Sequence, residues 1–283
     1  MMWLLLSACS ALCSAAAAVI QKKVLFAIDA LAFSFLVSLG VLVLSLPAPV
    51  LSEGEFFAVP QTVLLVIAGK SVLGAAAFLC VMHALEKNPI STALPLLGLT
   101  PAAAAALSVP VFGESLSIQE YAALALMTAG IYLIERRPGA PRSARVPIAA
   151  ALLLFALSSV ADKLLVSSMR IDPWTVLFYQ HGIYAAVFGM IMLMRGRTVS
   201  RSLLFSGLPL IAAAAVLTIL YRFAQLEATK DAPVALVLAV KRMSIVAASA
   251  YGGRLFRDEH LGMKLAGGAL IVAAGFLILR YGI

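Results

Sequence analysis

A chain of 283 residues that is 63% hydrophobic and only 12% charged, with a mean hydropathy of +1.05, carries more apolar surface than one water-soluble core can enclose. Lipid is therefore expected as its main solvent, and the absence of period-two patterning argues against a transmembrane barrel. The net charge of +8 comes from basic residues set singly or in short clusters between apolar runs, so it reads as juxtamembrane anchoring and not as a nucleic-acid face.

Apolar runs long enough to cross about 30 Å of hydrocarbon at 1.5 Å rise per residue recur along the chain. They predict an all-α membrane protein with ten transmembrane helices, near 2–20, 28–47, 61–84, 90–112, 118–134, 147–167, 174–194, 203–225, 232–252 and 263–281. The first run ends in alanines as a secretory signal would, but its start carries no Lys or Arg, so it is read as a helix that stays. Cys9, Cys13 and Cys80 fall inside apolar runs without ligand spacing, and no metal or cofactor is expected. In the fourth run Pro89, Pro95, Pro101 and Pro110 predict a kinked helix beside a cavity, because each proline removes a backbone donor. Ser117 and Glu120 have the spacing of a capping box that starts the fifth helix. Ala102 to Ala106, Gly267-Gly268 and Gly275 are small faces suited to close helix packing.

A basic linker, 138–146, lies between a first unit of five helices (1–137) and a second (147–283), and the two units echo each other. Phe112-Gly-Glu-Ser-Leu116 and the later Gly130 match Arg257-Asp-Glu-His-Leu261 and Gly275 at one offset. Ala84-Leu-Glu-Lys-Asn-Pro89 echoes Ala228-Thr-Lys-Asp-Ala-Pro233, and Ala18-Val-Ile-Gln-Lys-Lys-Val24 echoes Ser159-Val-Ala-Asp-Lys-Leu-Leu165. An odd number of helices per unit makes the second enter the membrane from the opposite side, giving two inverted five-helix repeats with a site between them at the midplane.

The Phe-Gly-Glu turn after the fourth helix, the Phe256-Arg-Asp-Glu259 turn, the glycine late in each following helix and the two-times-five layout resemble the drug/metabolite transporter superfamily, EamA-like type. The resemblance covers essentially the whole chain. It implies ten helices in two inverted repeats, a cavity lined mainly by the first four helices of each half, and alternating access. It implies no particular substrate.

Ionisable side chains deep in apolar helices are costly, at least ~2.5 kcal/mol each at a helix centre, and so mark candidate substrate-binding positions. Lys241 lies seven residues into its helix; Arg242 follows it but projects about 100° away, so the two are not expected to face one cavity centre. Lys70 lies nine residues into the third helix. Lys22 or Lys23 and Lys163 occupy equivalent positions near helix ends, where snorkelling is the plain reading for the first pair and a partnership with Asp162 is open to Lys163. Tyr221 and Arg222 could offer a stacking face and a bidentate anion contact, and His181 sits beside Tyr179-Gln180 at membrane depth. Glu114 and Glu259 read as structural turn residues.

Cations outnumber the one clear acid, Asp162, at comparable depth, which favours an anionic or zwitterionic small organic substrate. Catalytic motifs such as HExxH, GxSxG or a Walker loop are absent from the sequence, so the chain reads as a transporter and not an enzyme. A flippase for a lipid-linked anion is the alternative, and an intramembrane lipid-modifying enzyme a remote one. The expected partners are a small-molecule substrate and membrane lipids, with a homodimer compatible and a bacterial inner membrane as the expected location. On termini the arguments collide. Lys22, Lys23, Arg136, Arg137, Arg142, Arg145, Arg195, Arg197 and Arg201 in odd loops, against Glu53 and Glu55 in the second, put both termini outside, and this charge count is preferred; the resemblance implies both inside.

Overall fold

The structure is a computed structural model that describes residues 2–52, 56–135, 142–197, 201–255 and 261–281. Every regular element among them is helical. Along the chain these are α1 (Met2–Val24), α2 (Ala30–Leu44), α3 (Ala48–Leu51), α4 (Gln61–Lys87), α5 (Ile90–Ala93), a 3-10 turn (Pro95–Leu99), α6 (Thr100–Phe112), α7 (Ile118–Glu135), α8 (Arg142–Lys163), a π-helical turn (Leu164–Ser168), α9 (Pro173–Met194), α10 (Arg201–Asp231), α11 (Val234–Leu255) and α12 (Leu261–Tyr281). Six segments among the described residues have the length and apolarity to cross a membrane, and Ala30–Leu44 and Gly267–Ile278 are shorter apolar helices.

Local chemistry fixes the ends. Asp29 caps α2 by accepting from Leu31 N (3.0 Å) and Ala32 N (3.1 Å), and Asp172 caps α9 by accepting from Trp174 N (2.7 Å), with Pro173 at the first helical position. The capping box of α7 forms: Ser117 N donates to Glu120 Oε2 at 2.6 Å, and Glu120 N donates to Ser117 Oγ at 3.3 Å. Gly113 ends α6 at φ +64°, a left-handed position that a residue with a Cβ fills only with strain. Pro95 and Pro101 stand at the breaks that divide the expected fourth helix into α5, the 3-10 turn and α6, whereas Pro89 precedes α5 and Pro110 lies inside α6.

Two ends differ from expectation. Helix α8 reaches back to Arg142, inside the stretch expected as linker. Helix α10 continues to Asp231, beyond the expected end near 225, and its polar last turn carries a Lys230–Glu227 pair at 2.8 Å. The Phe256–Glu259 turn, Glu53, Glu55, Arg136 and Arg137 lie outside the described residues.

The core is mainly apolar, yet it also holds polar side chains while the outer surface exposes large apolar ones. Ser7, Ser10, Ser34, Ser71 and Asp162 are buried, while Leu5 (70% exposed), Leu12 (71%) and Leu65 (65%) point outward, where acyl chains would meet them. Helix α1 packs on α10 and α11, and α4 on α8 and α9. Helix α2 packs on α9 and α10, α6 on α8 and α11, and α7 on α12. At that last contact Gly130 lets α7 approach the backbone of Gly267, beside a cluster of Met127, Ile131, Ile271 and Ala274. The chain is thus a multi-pass integral membrane protein.

Candidate functional site

A cavity opens between α1, α2, α4, the 3-10 turn, α8, α9, α10 and α11; among the described residues none of α7 or α12 lines it. Its volume, open mouth included, is about 1080 Å³. Three cations line it, namely Arg222, Lys241 and Arg242, and among the described residues no carboxylate does.

Lys241 is buried on α11, donates to Gln225 Oε1 on α10, and lies 4.4 Å from the centre of the Tyr221 ring. A neutral amide and a ring face stabilise the ammonium without cancelling its charge. Arg242 donates through one Nη to Thr100 Oγ1 at 3.1 Å and sits 6.0 Å from the Phe155 ring, while its buried Nε has no partner. Lys241 and Arg242, which were not expected to face one cavity centre, both line this cavity. The cavity spans enough of α11 to take in a 100° arc, and long side chains close the remainder.

Behind this wall lies a closed polar ring. Lys70 on α4 donates to Asp162 Oδ1 and to Gln180 Oε1 (2.6 Å), and Arg222 on α10 donates to Asp162 Oδ2 (3.0 Å) and Gln180 Oε1 (2.9 Å). One carboxylate and one amide from α8 and α9 thus bridge two cations from α4 and α10. Lys70 and Asp162 are fully buried and do not line the cavity, so Lys70 is placed as a partner of Asp162 away from the wall. The ring carries one net positive charge, and Arg222 and Gln180 are the members that reach the cavity.

Lys163 also lies off the cavity. It donates to Ala232 O at 2.8 Å and stands 3.6 Å from Glu114, not beside Asp162, because neighbouring helical residues diverge by about 100°. Glu114 in turn accepts from Val234 N at 3.3 Å, a helix-capping contact. Lys22 does not snorkel; it is buried and donates to Leu85 O (2.6 Å) and Asn88 O (3.1 Å), whereas Lys23 is exposed. Tyr221 lines the cavity beneath Lys241, and His181 lines it with both ring nitrogens buried and without partners. A satisfied core histidine would have spent at least one of them. Gln180, Gln225 and Thr100 were not singled out from sequence; the available signal was an amide or hydroxyl inside an apolar helix, which is common and weak.

The model of the EamA-like transporter family matches residues 1–136. Among 28 solved chains that match, one described as "Crystal structure of protein" is 17% identical, with a TM-score of 0.72 over 99% of this chain and 94% of that one, which establishes a shared fold. No curated protein matches the chain. Over residues 1–136 this multi-pass membrane protein is thus similar to the EamA-like transporter family.

Proposed function

We propose that the protein is a ten-span transporter, built from two inverted five-helix repeats, that moves a small organic anion or zwitterion by alternating access, in an inner (plasma) membrane. The observation that carries the substrate charge is the cavity lining: Arg222, Lys241 and Arg242 without a facing carboxylate among the described residues. Buried cations in a low-dielectric setting are costly unless paired, and Asp162 balances only one of the charges assembled here. A bound anion supplies the missing balance.

The repeat reading is supported by the packing. Exchanging the first five long helices for the last five turns the α1–α10 contact into α8–α4, α1–α11 into α8–α6, and α2–α10 into α9–α4, while α2–α9 and α7–α12 map onto themselves. All of these contacts are present, as a pseudo-two-fold relation demands. The matched family segment ends at residue 136, beside the end expected for the first unit.

Reconstitution in liposomes tests the proposal. A panel of labelled carboxylates, phosphate esters and amines is offered, and saturable, protein-dependent uptake of an anion or zwitterion is expected, lost in Lys241→Gln and Arg242→Gln. Uptake of amines alone, at equal rates in wild type and both variants, would overturn it.

A further inference from the structure

Charge and apolarity are not mixed around the cavity; they divide by sequence half. The first half contributes apolar side chains, among them Ala18, Val37, Phe78, Val81, Met82 and Leu97, with Ser14, Gln21 and Ser38 as its polar members. The second half contributes polar and charged ones, and there Phe155, Leu238 and Ile245 are the apolar exceptions. The division holds at repeat-equivalent positions. The offset that carries Ala84 onto Ala228 places Phe78 opposite Arg222, Leu97 opposite Lys241 and Gly98 opposite Arg242. Ala18, Val37, Val81, Met82 and Leu97 belong to one packed cluster on which Phe78 leans, and Tyr184 and Ile245 of the second half join the same cluster.

From this we infer that the transported species is an amphipathic organic anion: an acid group held by Lys241, Arg242 and Arg222, joined to an apolar body that lies against Phe78, Met82 and Leu97. The inference rests on the anion reading above and adds the body to it. A polyhydroxylated anion would leave its hydroxyls against Val37, Val81 and Leu97, which offer no hydrogen bond, and each unmet hydroxyl carries a desolvation cost. One further polar group is accommodated: the His181 ring nitrogens and the Ser38 hydroxyl are buried on the lining and have no protein partner.

The test uses the purified full chain in detergent and follows ligand-dependent thermal stabilisation. The probes are straight-chain monocarboxylates from acetate to dodecanoate, glycerate, inorganic phosphate, and the matching neutral alcohols as a control for partition into detergent. Affinity should tighten by up to about fourfold per added methylene over the first several carbons, in the acids and not the alcohols. Phe78→Ala and Met82→Ala should flatten that slope, weakening hexanoate more than acetate, and Lys241→Gln should weaken all acids alike. A plateau at mid-length assigns the site to a free metabolite, and a rise that continues to dodecanoate assigns it to a lipid-borne acid; both uphold an amphipathic anion. If glycerate and phosphate bind as well as hexanoate, with no slope, the apolar body is refuted while the anion reading stands. Should no acid stabilise the chain and Lys241→Gln respond as wild type does, both readings fall.

Discussion

The Lys163 ammonium donates to the backbone oxygen of Ala232 at 2.8 Å, and Lys22, which the sequence echo aligns with it, donates to the oxygen of Asn88 at 3.1 Å. Both acceptors stand at the C-terminal end of a long helix, α10 and α4, and both are followed by a proline, Pro233 and Pro89. Helix C-termini leave carbonyls without intrahelical partners, and a cation there also complements the helix dipole. Replacing either lysine by Met removes a charge-assisted bond from a buried carbonyl. Thermal unfolding in detergent should show each variant destabilised by about 1.5–3 kcal/mol. Unchanged stability in both would show that these contacts hold nothing together.

Asp162 carries two cations and Lys70 only one anion, so their substitutions should not be equivalent. Asp162→Asn leaves Lys70 and Arg222 facing each other with Gln180 alone between them, and breaking a buried pair in this way costs about 3–5 kcal/mol. Lys70→Met leaves Asp162 with Arg222 and should cost less. Denaturant unfolding of the two variants side by side checks the order; a larger loss for Lys70→Met would contradict the bridging role of Asp162.

The glycines that close the helix contacts should differ in tolerance. A Cβ on Gly130 would come to 2.8 Å from Gly267 O, a backbone atom that can move only with its helix. On Gly275 the nearest atoms belong to the flexible end of the Met243 side chain. Gly130→Ala should therefore lower stability by about 1–3 kcal/mol and Gly275→Ala by less, read from thermal unfolding.

His181 spends neither ring nitrogen inside the protein, so His181→Phe should leave thermal stability nearly unchanged. Binding of any acid that engages the ring should weaken. A variant that unfolds early but binds normally would make the histidine a packing residue.

The helices were legible because each is a long apolar run with a polar or proline-bearing break, and Lys241 and Arg222 because a charge inside such a run is conspicuous. What could not be read was pairing. Lys70 and Asp162 are 92 residues apart, and nothing local to either says that they meet. Lys163 misled for the opposite reason: it adjoins Asp162 in sequence, yet consecutive residues on a helix diverge, and it turned to α10's end instead. The extra turn of α10 was hidden by Glu227, Lys230 and Asp231, whose polarity reads as the end of an apolar run although the helix continues through them.

Whether Lys241 and Arg242 form an anion-binding wall is decided by equilibrium binding of hexanoate to the purified protein, its Lys241→Gln variant and its Arg242→Gln variant, with hexanol as the neutral control. Losing a charge-assisted contact should weaken hexanoate roughly tenfold to a hundredfold in each variant and leave hexanol unchanged. Equal hexanoate affinity in all three proteins, or hexanol binding as tightly as hexanoate, would contradict the account.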